Sequence, residues 1–272
     1  MPTASSRNYS APRSVLPLAL LAVFVVAGPL IGLLLNIPWA RLPELAASIE
    51  AQKALQLSLL TSVISTVVCI VLGIPLAVWL RRLQRSAPAL TGAIQLFVYA
   101  PLVLSPVVSG LALTFFWGRR GFLGQWLDDM GVSVAYSMLG VIAVQVFVAL
   151  PFFVAMTSAT MQAIPAEFDE AATLDGATRS QVMRHILLPL AAPGILTGTV
   201  LSFARALSEY GATLTFAGNV EGQTRTIPLL VSLGLSSGDM GQALGACFLL
   251  LGVYVLVIAA MVGLRVLTRV GK

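Results

Sequence analysis

Ionisable side chains concentrate in one short segment of a chain that is otherwise apolar. The nineteen residues 167–185 hold four carboxylates, two arginines and the single histidine of the protein: Glu167, Asp169, Glu170, Asp175, Arg179, Arg184 and His185. Such a group of carboxylates around a histidine suggests an active site. A second polar feature is the pair Arg205 and Glu209, whose spacing of four residues lets the two side chains meet on one helix.

The motifs of common catalytic sites are missing from the sequence. It has no GxxxxGK[ST] phosphate-binding loop, so it does not hydrolyse ATP by that route, and it has no HExxH, CxxC or GxSxG motif. A single histidine is more often a surface or packing residue than a ligand or a base. Cys69 and Cys247 lie within apolar runs, which predicts buried thiols. We therefore expect no catalytic residue, no metal and no cofactor, and not an enzyme.

The composition makes a lipid bilayer the solvent for most of this chain. Of 272 residues, 58% are hydrophobic and 10% are charged, whereas soluble domains carry about 25% charged residues. A helix that spans the bilayer needs about 20 apolar residues. Six segments meet this need, which predicts an all-α polytopic membrane protein with six transmembrane helices at residues 15–35, 54–80, 89–117, 134–160, 190–214 and 243–267.

The first apolar segment could also be read as a cleaved signal peptide, because two arginines precede it. Its run of 21 residues is longer than the apolar core of a signal peptide, which has about 7–15 residues. A retained helix is therefore favoured. On this reading residues 1–14 form a cytoplasmic tail, and residues 15–268 form a single transmembrane domain.

The basic residues indicate the orientation in the membrane. With a cytoplasmic N-terminus, ten lysines and arginines fall on the inside and five on the outside, as expected because basic loops resist translocation. Both termini, and the polar segment between the fourth and fifth spans, are then cytoplasmic. The same distribution accounts for the net charge of +5 without nucleic-acid binding. Placing the polar segment in lipid instead would cost on the order of 15 kcal/mol.

The polar segment itself reads as two short helices around a glycine. Gly176 lacks a Cβ and permits a sharp change of direction. Pro189 is expected to end the second helix and to begin the return to the membrane. From the residues alone, the segment is either a solvated connection or a compact element that docks on a cytoplasmic partner.

A longer pattern within this segment resembles a known family. Glu170-Ala171-Ala172 is followed by three residues, Gly176, nine residues, and then Ile186-x-Leu188-Pro189. This order resembles the EAA loop of ATP-binding-cassette importer permeases and matches every position of its pattern, EAA-x3-G-x9-I-x-LP. The resemblance implies a cytoplasmic coupling loop at about residues 163–189, through which a separate dimer of ATPase subunits moves two copies of this chain. The residues it implicates in coupling are Glu170, Ala171, Ala172, Gly176, Ile186, Leu188 and Pro189.

Two further stretches narrow the resemblance. FARALSEYGATLTFAGN at 203–219 and GQTRTIPL at 222–229 are similar to the molybdate permeases of the ModB type, within the molybdate/sulfate importer permease family, over about residues 50–268. Ser208 departs from that wording, which commonly has glycine. The resemblance implies a homodimer in the bacterial inner membrane that imports molybdate from an extracytoplasmic molybdate-binding protein. Sulfate, thiosulfate or tungstate as cargo, and an ion-coupled secondary transporter, stay open as alternatives.

The charged pair within the fifth predicted span allows two interpretations. Arg205 lies about 22 Å along the helix from its predicted start, and ionisable residues at such depth face protein or a water-filled cavity. The pair either locks helix packing or shapes the gate of a translocation path. The candidate residues of that path are Ser202, Arg205, Ser208, Glu209 and Thr213.

Overall fold

A computed structural model describes residues 15–270, except the side chains of residues 260–262 and 264–270. The regular secondary structure of this part is helical, which confirms the predicted all-α class. The predicted N-terminal tail, residues 1–14, lies outside the described residues. The helices are α1 Leu16–Asn36, α2 Leu42–Ala47, α3 Ile49–Ser86, α4 Pro88–Val103, α5 Pro106–Trp117, α6 Gly124–Asp129, α7 Met138–Gln162, α8 Glu167–Leu174, α9 Arg179–Val182, the π-helix Met183–Leu187, α10 Leu188–Leu207, α11 Gly211–Phe216, α12 Ile227–Ser237 and α13 Met240–Val270.

Five helical stretches of the described chain are long and apolar enough to cross a membrane. They are α1, α3, α7, the continuous stretch Arg179–Leu207, and α13. The helices α4 and α5 form a sixth candidate if the bent pair is counted as one span. The predicted number of six transmembrane helices holds on that count.

The third predicted span is wrong as a single helix, because it breaks between α4 and α5 with a bend of 119°. Pro106 begins α5, and the residue before a proline is pushed out of the helical region of backbone space. Ser105 accordingly has an extended backbone (φ −65°, ψ 152°), and its Oγ accepts a hydrogen bond from the Val108 N–H at 3.4 Å. The break therefore also supplies the N-terminal cap of α5.

The fifth predicted span begins and ends earlier than expected. It runs without interruption from Arg179 to Leu207 and stops before Glu209, and α11 follows separately. Pro189 does not end a helix, contrary to the prediction. The π-helix just before it has a wider turn, in which the Leu188 N–H bonds to the Met183 carbonyl. This wider turn carries the helix past a residue that has no N–H of its own to donate.

The helices α3, α7 and α10 pack together as the centre of the fold, and small residues allow their close approach. A Cβ on Gly194 would overlap the Thr160 side chain, and one on Gly73 would overlap the ring of Phe153. Close contact between helices through glycine is common in membrane proteins. By contrast, α1 leaves most of its apolar side chains exposed within this single chain. The predicted thiols are both free, with Cys69 buried and Cys247 half-buried.

Candidate functional site

The coupling loop (residues 163–189) starts with a helix whose end requires a glycine. The first turn of α8 carries three acidic residues, which interact favourably with the positive end of a helix dipole. At its other end, the Ala177 N–H bonds to the Ala172 carbonyl at 2.9 Å and the Gly176 N–H bonds to the Thr173 carbonyl at 3.1 Å. This pair of bonds is a Schellman motif, with Gly176 in the left-handed region at φ +82°.

A capping box restarts the helix directly after this reversal. The Gln181 N–H donates to Thr178 Oγ1 at 3.4 Å, and the Thr178 N–H donates to Gln181 Oε1 at 2.7 Å. Threonine and glutamine three residues apart satisfy each other's free backbone donors in this way. The restarted helix α9 continues through the π-helix into α10. The second half of the loop is therefore a direct extension of a membrane-spanning helix.

The inner face of the loop packs on the end of the helix core. Ala172, Ala177 and Met183 contact a buried cluster formed by Ala77, Val78, Met161, Ile164, Val182, Leu187 and Ala191. Of the residues that the sequence pattern implicates in coupling, Ala172, Ile186 and Leu188 are partly buried. The others are exposed, namely Glu170, Ala171, Gly176 and Pro189. The pattern thus divides into residues that hold the loop and residues that the loop presents.

A buried arginine ties the loop to two membrane helices. Arg81, near the end of α3, is 6% exposed. Its Nε donates to the Met161 carbonyl at 2.8 Å and its Nη2 to the Ile164 carbonyl at 3.2 Å, at the end of α7. Its Nη1 pairs with Asp169 Oδ2 on α8 at 2.6 Å, and Arg85 Nη2 reaches the same oxygen at 3.2 Å. We call Arg81, Arg85 and Asp169 the arginine anchor.

The four carboxylates of the loop therefore do not form one site. Asp169 faces the arginine anchor, whereas Glu167, Glu170 and Asp175 are exposed and form no ion pair within the described chain. His185 is exposed as well, with its Nδ1 3.1 Å from the Gln181 carbonyl. Residues 15–270, where their side chains are described, contain no group of three or more His, Cys, Asp or Glu arranged to hold a metal ion. The composition that suggested an active site is not matched by convergent geometry.

The outer side of α8 forms a shallow groove with the π-helix. Its volume is about 430 Å³, and its lining residues are Glu167, Phe168, Ala171, Ala172, Asp175 and Ile186. We call this surface the docking groove. Phe168 is about half exposed, and Leu174, at the end of the same helix, is almost fully exposed. An exposed apolar surface with an acidic rim is typical of a site that binds another protein.

The candidate path residues cluster around the break between α10 and α11, but only some of them reach a surface. Arg205 Nη1 pairs with Glu209 Oε2 at 2.6 Å, although Glu209 lies in the break and not on the same helix. Glu209 Oε1 also accepts from the Ala212 N–H at 2.9 Å. Its side chain is 1% exposed, whereas that of Arg205 is 27% exposed. Ser208 is exposed, and Ser202 and Thr213 are buried within this chain.

The arginine anchor is the part of the site that sequence reasoning missed. The sequence places Arg81 in a basic cluster at the end of an apolar helix, which reads as an orientation signal. One signal was available, because Cys69, Gly73, Ala77 and Arg81 recur every four residues and are all buried. An arginine that continues a buried face needs a partner. Its partner, Asp169, is 88 residues away, and no local pattern indicates it.

Comparison with known proteins places the chain among transport proteins. A family model described as "Binding-protein-dependent transport system inner membrane component" matches residues 57–269. The "Molybdenum transport system permease protein ModB" of Mycobacterium tuberculosis is 40% identical over 222 residues, which cover 82% of this chain and 83% of that protein. The "Sulfate transport system permease protein CysT" of Escherichia coli is 30% identical over 210 residues, 77% of this chain and 75% of that protein.

The fold is similar to that of a solved importer. A chain in the crystal structure of a bacterial alginate ABC transporter, in complex with an alginate pentasaccharide-bound periplasmic protein, superimposes with a TM-score of 0.72. The match covers 91% of each chain at 21% sequence identity. At this identity the similarity is one of fold.

Proposed function

The chain belongs to the family of binding-protein-dependent transport system inner membrane components, the permease subunits of ATP-binding-cassette importers, and we propose that it translocates molybdate inward. Membership of this family implies a separate ATPase, an external binding protein and a dimeric permease. The chain is a transport subunit and not an enzyme. The cargo assignment is supported by the 40% identity to a molybdenum permease, against 30% to a sulfate permease.

The observation that carries the coupling proposal is the complete EAA pattern on an exposed helical loop. Glu170 and Ala171 lie on the outer side of α8, where a partner can reach them. We propose that the ATPase binds at the docking groove and that its motion passes through the loop. The other residues of the pattern have supporting parts: Ala172 and Leu188 pack on the buried cluster of the membrane helices, Ile186 lines the docking groove, Gly176 reverses the chain, and Pro189 lies exposed at the start of α10.

The proposed orientation places both termini, the coupling loop and the end of α3 in the cytoplasm. Arg81, Arg82 and Arg85 lie at the same end of the molecule as the loop, as the ion pairs of the arginine anchor require. A cluster of arginines at the end of a span is typical of the cytoplasmic side. The expected setting is the bacterial inner membrane, with a molybdate-binding protein on the outer face.

The path of the anion is proposed to pass near Arg205 and Ser208, the two candidates that reach a surface. Glu209 neutralises much of the positive charge of Arg205, because Glu209 Oε2 lies 2.6 Å from Arg205 Nη1. The site is therefore suited to a gate that attracts a dianion weakly, and the external binding protein supplies the selectivity. Glu209 fixes the break between α10 and α11 from within the protomer, by accepting from the Ala212 N–H and pairing with Arg205, and Ser202 and Thr213 are buried beside it in α10 and α11.

Transport measurements test the proposal directly. Cells without a molybdate importer should take up radiolabelled molybdate when this chain is expressed with its ATPase and its binding protein, and an inactive ATPase should stop the uptake. Tungstate should compete with molybdate, because the two dianions are similar in size and charge, whereas sulfate should compete poorly. Uptake driven by an ion gradient, independent of the ATPase, would instead favour a secondary transporter.

The coupling part of the proposal has its own variant. Glu170→Lys reverses a charge on the exposed side of α8 and should abolish ATP-coupled uptake while the protein is still inserted in the membrane. Asp129→Lys is a matched control, since Asp129 is also exposed and forms no ion pair within the described chain. If Glu170→Lys transports as well as Asp129→Lys does, the loop does not couple to the ATPase. Affinities of the binding protein for molybdate, tungstate and sulfate decide the cargo.

A further inference from the structure

The loop between α5 and α7 carries an exposed apolar stripe at the far end of the molecule from the coupling loop, because α7 runs from one to the other. Phe122, Trp126 and Met130 are each between 62% and 76% exposed within the described chain. Their spacing of four residues places them on one side of the helical segment around α6. An exposed apolar surface of this kind marks a contact with another protein or with lipid. We call these three residues the apolar edge.

The segment that carries the apolar edge is fixed to the body of the protein. The Phe122 N–H donates to the Phe115 carbonyl at 2.9 Å, and the Leu123 N–H donates to the Phe116 carbonyl at 2.9 Å. Both carbonyls belong to the last turns of α5. Leu127 packs on a buried cluster formed between α5, α7 and α11. The apolar edge is therefore held outward by contacts on the other sides of the same segment.

Three kinds of side chain divide the circumference of this helical segment. At about 100° per residue, the apolar edge, the inward side at Leu127 and a polar side each cover about a third of it. The polar side consists of Gln125, Asp128 and Asp129, which are all exposed. A helix that lies at the rim of a membrane protein, in the plane of the interface, needs one side for protein, one for lipid and one for water.

The apolar edge prolongs an exposed apolar stripe of a membrane helix. On α5, Val107, Leu111 and Phe115 recur every four residues and are exposed. The Phe122 ring stacks on that of Phe116 with their centroids 6.0 Å apart, so the edge begins beside the end of this stripe. Since α5 belongs to the bent candidate span, the edge lies where the apolar surface of that span meets the water phase.

The residue types of the apolar edge favour lipid over a protein partner. Tryptophan is enriched at the surfaces of bilayers, where its ring contacts acyl chains and its N–H reaches water. The Trp126 indole N–H has no hydrogen-bond partner within the described chain and is exposed. The three side chains carry no charge, whereas the docking groove has an acidic rim. The edge therefore offers no charge complementarity to a second protein.

We propose that the apolar edge lies in the interfacial region of the bilayer, among the headgroups and the upper acyl chains of phospholipids. The polar side of the segment then faces water, and Leu127 faces the protein. Held in this way, α6 fixes the depth of the end of α5 in the membrane. In the proposed orientation this is the outer leaflet. The proposal concerns lipid contact alone and does not rest on the cargo or on the coupling loop.

The test measures the depth of side chains in the bilayer by electron paramagnetic resonance. Nitroxide labels are attached to Trp126→Cys, Met130→Cys and the matched control Gln125→Cys in the full chain, reconstituted in phospholipid nanodiscs. All three positions are exposed, so the variants should fold normally. Oxygen concentrates in the hydrocarbon, whereas a nickel chelate stays in water. The wild-type protein, treated in the same way, gives the background from Cys69 and Cys247.

The expected result is that oxygen relaxes the labels at positions 126 and 130 more than the nickel chelate does, and that the order is reversed at position 125. The proposal is overturned if the nickel chelate reaches position 126 as well as position 125, because the edge then faces water. It is also overturned if the labels at 126 and 130 are shielded from both reagents in the chain alone, since a second copy then covers the edge. Shielding that requires the binding protein contradicts it as well, because the edge is then a docking surface.

Discussion

Replacing Arg81 by glutamine should release α8 from the ends of α3 and α7. The arginine makes three polar contacts, to the Met161 carbonyl at 2.8 Å, the Ile164 carbonyl at 3.2 Å and Asp169 Oδ2 at 2.6 Å. Glutamine is shorter and can replace at most one of them. The change leaves two carbonyls short of a donor and leaves Arg85 as the remaining ion-pair partner of Asp169, in a region that excludes most water.

The size of the effect follows from the burial of the pair. Removing one partner of a buried ion pair costs about 3–5 kcal/mol. Arg85 still reaches Asp169 at 3.2 Å, and the Asp169 side chain keeps 19% of its exposure, so the lower end of that range applies. A loss of about 3 kcal/mol raises the equilibrium constant for local opening of the loop by about 100-fold.

Limited digestion of the purified chain with trypsin measures this opening. Arg179, the first residue of α9, follows the turn at the end of α8 and becomes cleavable when α8 detaches and this turn opens. When opening is fast relative to cleavage, the cleavage rate follows the population of the open form, so Arg81→Gln should be cut about 100-fold faster. Arg82→Gln is the matched control, because Arg82 is exposed and forms no ion pair within the described chain.

A double variant separates the ion pair from the rest of the contacts. Arg81→Gln/Asp169→Asn removes the charge of the carboxylate that has lost its closer partner, so its cleavage rate should fall most of the way back to that of the control. If Arg81→Gln is cut no faster than Arg82→Gln, the arginine does not hold α8. If the double variant is cut as fast as Arg81→Gln, the lost pairing of the Asp169 carboxylate with Arg81 is not the cause.

Three further predictions concern the reversal, the helix packing and the gate. Gly176→Val should abolish molybdate uptake without loss of membrane insertion, because a branched side chain at φ +82° is strained by about 1–2 kcal/mol or more. Gly176→Asn should keep most of the uptake. Equal uptake rates for the two variants would contradict the role of the left-handed turn. Gly194→Ala should lower the free energy of unfolding by about 1–3 kcal/mol through overpacking, as measured by thermal unfolding in micelles. Gly252→Ala should leave it unchanged, because a Cβ at Gly252 meets no atom within 4 Å. Arg205→Gln should slow molybdate uptake at normal expression, since it removes the positive group beside the buried Glu209; unchanged uptake would exclude the pair from the gate.

The apolar spans and the two helices around Gly176 were predictable because their signals are local. Apolar length identifies a membrane helix wherever it occurs, and the EAA pattern needs only Glu170 to Pro189 in order. The glycine reversal was also predictable, since φ +82° at Gly176 is a conformation that other residues rarely adopt.

The features that were not predictable depend on contacts between distant segments or on a choice between two uses of proline. Pro106 breaks the third predicted span, whereas Pro189 is absorbed by a wider helical turn, although both follow an apolar or helical run. The pairing of Arg81 with Asp169 brings together residues 88 positions apart, which no periodicity in one helix can indicate. The break that separates Arg205 from Glu209 likewise follows from how α11 packs.

The loop at residues 163–189 is fastened to the membrane helices in two different ways. One end, α8, is held against α3 and α7 by the arginine anchor and by the apolar contacts of Ala172. The other end, α9, is joined to α10 by uninterrupted helical backbone. The exposed turn at Gly176 lies between α8 and α9. A movement of α8 would therefore reach α3 and α7 through side-chain contacts, whereas a movement of α9 would reach α10 through the backbone itself. Because Arg81 is 6% exposed, salt screens its ion pair with Asp169 only weakly, so both linkages should persist in concentrated salt.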